Sequence, residues 1–172
     1  GDCCECFHRI SRKPVHAPLG DIANKQGRIA GANVGGQNVL FPGIVGSLCF
    51  KVFNLEVAST GLTLEEAEKV GFKADSVTIQ GASKAHSYPG SRELQIRLVA
   101  DTESGRILGA QSVGGDGVVS RINALAVALT GGLSIEELAY MDLAYAPPFG
   151  PVWDPLLTAA NQEQAVQLVI DG

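Results

Sequence analysis

Glu93-Leu94-Gln95-Ile96-Arg97-Leu98-Val99-Ala100 sets apolar side chains at Leu94, Ile96 and Leu98 against polar ones at Gln95 and Arg97. Neighbouring residues of a strand point to opposite faces, so this alternation predicts a strand with one face on a core and one facing outward. Asp101-Thr102-Glu103-Ser104-Gly105-Arg106 follows as a turn with Gly105 available for a positive φ, and residues 107–113 supply the returning strand of a hairpin. Upstream, 75–80 reads as another strand, while 39–45 and 50–58 are apolar, partly β-branched and read as strand-rich. Thr63-Leu64-Glu65-Glu66 opens a short helix, with a threonine N-cap and an acid in the capping-box position, that ends near Gly71.

Downstream of Gly114-Gly115-Asp116-Gly117, residues 118–129 put Val118, Ile122, Leu125, Ala126 and Leu129 on one helical face, and Gly131-Gly132 stops the run. This predicts the main core helix. Ser134-Ile135-Glu136-Glu137 starts a shorter helix with a second capping box, and the chain leaves it through Asp142-Leu143-Ala144-Tyr145-Ala146-Pro147-Pro148-Phe149. Strands joined by hairpins and followed by helices imply an α+β fold, an antiparallel β-sheet with helices packed on one face.

Residues 1–28 are polar and interrupted by Pro14, Pro18 and Gly20 without a sustained period, so they read as an irregular connector. From 22 to 34 small residues dominate (Ala23, Gly27, Ala30, Gly31, Ala32), a composition suited to a helix in tight packing. The expected organisation is a connector over 1–28, one domain over 29–160, and a C-terminal extension or start of a further segment over 161–172.

The chain has 172 residues, 45% of them hydrophobic, enough for the core of one ordinary domain. A net charge of −5, with 13 Lys and Arg residues scattered singly, argues against nucleic acid as a partner. No stretch reaches the roughly 20 apolar residues of a membrane-spanning helix. The chain starts Gly1-Asp2-Cys3-Cys4, without an initiator Met or a signal-peptide pattern, which suggests a piece of something longer. Cys3, Cys4, Cys6 and Cys49 lack the spacing of a secreted disulfide framework, and a reducing cytoplasm fits them better. With His8 the first three form a weak metal pattern, because ligands so close in sequence present poorly to one Zn²⁺ and no second Cys/His pair follows.

No GxGxxG, phosphate-binding lysine loop, Ser-His-Asp set or paired carboxylates can be defended from spacing. Taken alone, the residues describe an α+β domain with a proline-braced aromatic loop.

Several motifs in order carry further. Pro18-Leu19-Gly20-Asp21-Ile22-Ala23-Asn24-Lys25-Gln26-Gly27-Arg28 resembles the segment that joins the FAD domain to the dimerisation domain in one branch of the pyridine nucleotide-disulfide oxidoreductases, that of the CoA-disulfide reductases, polysulfide reductases and NADH oxidases. Ala58-Ser59-Thr60-Gly61-Leu62-Thr63 with Glu66-Ala67 and Gly71 is similar to the next landmark, and Tyr88-Pro89-Gly90 follows it. Gly105-Arg106-Ile107-Leu108-Gly109-Ala110-Gln111 and Ala146-Pro147-Pro148-Phe149 with Asp154-Pro155 complete the series over roughly residues 18–160.

The resemblance implies an FAD/NAD-linked reductase dimerisation domain that forms a homodimer. The longer parent would hold FAD, use NAD(P)H and act on a thiol or disulfide substrate, with coenzyme A as one candidate; this piece alone would bind no cofactor and turn over nothing. Gly1-Asp2 resembles the end of the family's last FAD motif, so Asp2 and Leu19 are the implied flavin contacts, and a carboxylate suits the sugar-like hydroxyls of the ribityl chain. Tyr88 and Tyr145 are the implied catalytic contributors, entering the partner subunit's site beside its reactive cysteine. A phenol, with an ordinary pKa of about 10, stays protonated at neutral pH and can donate where a thiolate leaves. Either tyrosine could instead simply pack under its proline-rich turn.

Ser87 stands where relatives often carry a second tyrosine, and Gly150 where a serine often follows Pro-Pro-Phe, which weakens substrate contacts there. His8, His16 and His86 lack the context of the acid/base histidine of the glutathione-reductase branch, and the four cysteines lie outside the redox position. Two alternatives remain: a free-standing homodimeric interaction module without redox activity, and a small Cys/His metal protein.

Overall fold

The computed structural model describes residues 1–170, with side chains through 164, so the last two residues of the 161–172 segment lie outside the described residues. The chain divides into two compact units, Gly1–Gly46 and Ser47–Gly172.

The second unit is built on a five-stranded sheet. Strands β3 (Leu48–Val52), β4 (Leu55–Gly61), β5 (Ala74–Ala82), β6 (Glu93–Asp101) and β7 (Ile107–Gly114) lie in the order β3-β4-β7-β6-β5, every neighbour antiparallel. Leu94, Ile96 and Leu98 of β6 are buried, and the register carries their face across to Ala110 and Ser112 of β7 and Ala58 and Thr60 of β4. Helix α3 (Val118–Gly131) covers that face over β4 and β7, and α5 (Pro155–Ile170) covers it over β5 and β6. Short α4 (Ile135–Ala139) packs on α5, and α2 (Leu64–Lys69) lies against β5. Each large apolar side chain so covered stabilises the fold by roughly 1.5–3 kcal/mol.

Local chemistry sets the helix starts. Thr63 and Ser134 each accept from the backbone three residues on while Glu66 and Glu137 reach back, two complete capping boxes as the sequence predicts. Helix α3 has no cap of its own at Gly117; Glu56 of β4 accepts from Val118 N at 2.9 Å instead. Asp154 caps α5 through Leu156 N at 2.9 Å, with Pro155 in the first helical position.

The opposite face of the sheet is uncovered within this unit. The register sets Phe50, Val57 and Val113 in one row there, with Leu48 and Val52 beside Phe50 on the edge strand, and all but Val57 are exposed.

The first unit holds β1 (Glu5–Phe7) paired antiparallel with β2 (Pro14–His16), then α1 (Gly20–Val34). The connector expected over 1–28 therefore contains ordered elements. They were invisible as periodicity because each strand is only 3 residues long and the turn between them is held by backbone bonds, His8 N to Lys13 O and Arg12 N to His8 O. Among the described residues the close packing expected of the small residues in α1 is absent at its two inner glycines, since a Cβ added at Gly27 or Gly31 meets nothing within 4 Å, while Gly1 lies against Ala23. Residues 39–45 form no strand apart from one bridge between Ile44 and His8. Pro42 offers no N–H, and Gly43 has φ 87° with Phe7 O so near that an added Cβ would sit 2.4 Å from it. Residues 161–170 continue the helix begun at Pro155. No helix among the described residues is long and apolar enough to cross a membrane.

Candidate functional site

Three loops of the second unit are tied together by polar bonds: 83–92 between β5 and β6, 115–117 ahead of α3, and 140–154 between α4 and α5. Buried Ser83 closes the first, bonding Arg92 O through its amide at 2.8 Å and accepting from Arg92 N through its hydroxyl at 3.0 Å. Gly115 N donates to Glu93 O at 3.1 Å, and Lys84 Nζ approaches Asp116 to 3.7 Å, which links the second loop to the first. Ala85 N donates to Pro147 O at 3.1 Å and thereby fastens the third loop to the first.

That last bond brings the Tyr88 and Tyr145 loops together. Tyr88 closes a turn onto Ala85 O at 2.9 Å and is 40% exposed, with Lys84 Nζ 6.0 Å from its ring centre. Tyr145 is 50% exposed and precedes a turn in which Phe149 N and Gly150 N both bond Ala146 O, at 2.9 and 3.2 Å. Phe149, Val152 and Trp153 are also exposed, so the loop offers an aromatic, largely apolar surface carrying a phenol. Each tyrosine carries a phenolic hydroxyl able to donate a hydrogen bond, and the Lys84 ammonium lies on the Tyr88 side of the joined loops.

Asp2 and Leu19 belong to the first unit. The backbone at Gly1 lies against the first turn of α1: a Cβ there would be 4.0 Å from that of Ala23, whose amide bonds Leu19 O at 2.9 Å. Asp2 is exposed and its carbonyl bonds His16 Nε2 at 2.8 Å, while Leu19 is half-buried at the start of α1, with no side chain capping the helix. An exposed carboxylate can accept from a polyol chain, and the uncapped N–H groups at the start of α1 can donate to a carbonyl. His8 is buried and accepts from Ser11 N at 3.2 Å; Gln26 bridges Cys4 and Cys6, at 3.2 and 3.1 Å. Among the described residues no group of three or more His, Cys, Asp or Glu could hold a metal ion.

Two buried charged residues went unnoticed in the sequence. Arg121 pairs with Asp154 beneath the aromatic loop. Glu163 is wholly buried on α5 and neither carboxylate oxygen has a partner among the described residues; burial, with a smaller contribution from the negative charge of Asp75, pushes its pKa up to about 7. Leu156, Ala159, Ala160 and Glu163 repeat at helical spacing, so the same periodicity that finds a buried helix face places this acid on it.

Residues 48–155 match the family described as the pyridine nucleotide-disulphide oxidoreductase dimerisation domain. The chain belongs to this family. It is 42% identical over 161 residues to the NAD(P)H sulfur oxidoreductase (CoA-dependent) of Pyrococcus furiosus, covering 94% of this chain and 36% of that protein. It is 34% identical over 150 residues to the coenzyme A disulfide reductase of Staphylococcus aureus, covering 87% of this chain and 34% of that one. The structure of a NAD-dependent persulfide reductase from A. fulgidus superimposes with a TM-score of 0.94 at 39% identity, over 97% of this chain and 31% of that one. These relatives place the chain in the CoA-disulfide and sulfur-reductase branch, as the ordered motifs imply, and it spans about a third of their length.

Proposed function

We propose that this chain is the dimer-forming part of a longer flavoprotein that moves electrons from NAD(P)H to a disulfide, persulfide, polysulfide or oxygen acceptor. Its Tyr145 and Tyr88 loops would complete the acceptor pocket of the other subunit. The observation that carries this reading is the Ala85–Pro147 bond, which joins two loops whose tyrosines, Tyr88 and Tyr145, are both exposed on this chain. Exposed aromatic clusters of this kind are typical of surfaces that another protein covers.

The parent's FAD would supply the two-electron relay between nicotinamide and sulfur. Within this chain, Asp2 would accept hydrogen bonds from ribityl hydroxyls, and Leu19 would lie beside the flavin at the start of α1. Tyr145 would donate a hydrogen bond or proton to the sulfur that departs as thiolate, with Tyr88 and Lys84 steadying the negative charge beside it. The connector over 1–28, the dimerisation domain over 29–160 and the segment from 161 would divide the work accordingly. Four free thiols fit a reducing cytoplasm.

Light scattering on this chain tests the dimer: a single monomeric species at high micromolar concentration overturns it. In the full-length enzyme, Tyr145→Phe should lower kcat by roughly tenfold to a hundredfold with little change in KM, as expected when a proton donor is lost. Undiminished turnover removes Tyr145 from the mechanism. Pairing a Tyr145→Phe subunit with one lacking the reactive cysteine should leave one working site per dimer only if the tyrosine acts across the interface.

A further inference from the structure

Between the end of α4 and the start of α5, residues 140–154 form neither helix nor strand, and Tyr140, Tyr145, Phe149, Val152 and Trp153 are all exposed. Apolar burial therefore does little to fix this stretch, and ordering it must rest on specific polar anchors. One is the bond from Ala85 to Pro147. The other is more extensive. Arg121, only 5% exposed, directs Nε to both carboxylate oxygens of Asp154 at 3.1 Å, Nη2 to Oδ2 at 2.8 Å, and Nη1 to Gly117 O at 3.0 Å. The same carboxylate accepts from Leu156 N at the start of α5, so one side chain joins α3, α5 and the end of the loop.

The loop rests on this pair. Gly150 is buried, and a Cβ added there would lie 3.4 Å from Asp154 Oδ2 and 3.5 Å from Arg121 Nη2. On the other side the guanidinium lies over the turn ahead of α3, where a Cβ at Gly117 would come within 2.5 Å of Nη1. A planar guanidinium satisfies these acceptors at once, whereas an ammonium on a flexible stem cannot reproduce the fork.

We propose that Arg121 and Asp154 are positioning residues: their bidentate pair fixes the loop that carries Tyr145 and so sets turnover without touching substrate. The link to turnover rests on the reading of Tyr145 given above; the mechanical part stands on the geometry alone. Misplacing a reacting group by about 1 Å costs on the order of a hundredfold in rate.

Trp153 is the only tryptophan of this chain and adjoins Asp154, so its emission and acrylamide quenching report on the loop directly. Arg121→Lys, which keeps the charge, and Asp154→Asn, which keeps an N-capping oxygen, should both leave circular dichroism unchanged and raise quenching of Trp153. Unchanged quenching in both variants overturns the proposal. In the full-length enzyme Arg121→Lys should lower kcat by roughly tenfold to a hundredfold with KM within about twofold, and add nothing further in a Tyr145→Phe background. Independent, multiplying losses would show that the pair does not act through Tyr145. If Tyr145→Phe alone leaves turnover intact, the reading of that tyrosine fails, and Trp153 quenching decides by itself whether the pair fixes the loop.

Discussion

The covered face of the sheet and the loop over 140–154 are both rich in apolar residues, yet they are held in opposite ways. Leu94, Ile96 and Leu98 are sealed under α3 and α5, and their position follows from the area they remove from water. Tyr145, Phe149 and Trp153 remain exposed, and their position follows from a few hydrogen bonds at Pro147, Gly150 and Asp154. Apolar composition alone thus does not distinguish a core from an exposed surface. What distinguishes them is whether the backbone beneath is fixed by packing or by polar anchors.

The sharpest way to break the first region is Gly109→Ala. In the β4–β7 pairing an added Cβ would sit 2.0 Å from Leu62 O and 2.5 Å from Leu62 N, backbone atoms that cannot rotate away. The expected cost exceeds about 4 kcal/mol, seen as loss of cooperative unfolding, and a melt like that of the parent chain would refute the close approach. Ile96→Ala removes a fully buried side chain without such a clash and should cost about 3 kcal/mol by urea midpoint at unchanged slope.

Glu163 gives a pH-dependent version of the same test. Its folded pKa is raised from 4.5 to about 7, so its contribution is most favourable below 4.5, where the acid is protonated in folded and unfolded chains alike. As pH rises toward 7 the unfolded chain loses the proton first and stability falls, becoming level above about 7. Relative to the parent chain, Glu163→Gln should gain stability progressively between pH 4 and pH 8, by at most about 3 kcal/mol and less where water screens the carboxylate. A difference curve that is flat with pH would show that the carboxylate finds a partner or water. The smallest effect belongs to the loop: Phe149→Ala should change unfolding of the monomer by under about 0.5 kcal/mol while weakening self-association in sedimentation or light scattering. A large loss of monomer stability would place that ring in a core after all.

Much of the fold was legible locally. The alternation at 93–98, the turn at Gly105, and the capping boxes at Thr63 and Ser134 each depend on residues within a few positions of one another, and each forms as expected. The 3-residue strands of the first unit were too short to show a period, and residues 39–45 had strand composition but glycine and proline geometry that forbids a ladder. Of the candidate site, the motifs single out Tyr88 and Tyr145 as candidates, but nothing in either motif shows that Ala85 and Pro147 join their loops.

By itself, the sequence determined the alternation of β6, the hairpin to β7, the start and apolar face of α3, the capped starts of α2 and α4, and, through its ordered motifs, the family. Those properties are set by neighbours along the chain, which composition and spacing record. Only the tertiary structure decided that Glu56 caps α3, that Arg121 meets Asp154, and that Glu163 is buried with no partner among the described residues, because each depends on atoms brought together from distant positions. A charged residue reads the same in sequence whether water, a counter-charge or nothing surrounds it, and its energy differs by several kcal/mol among the three.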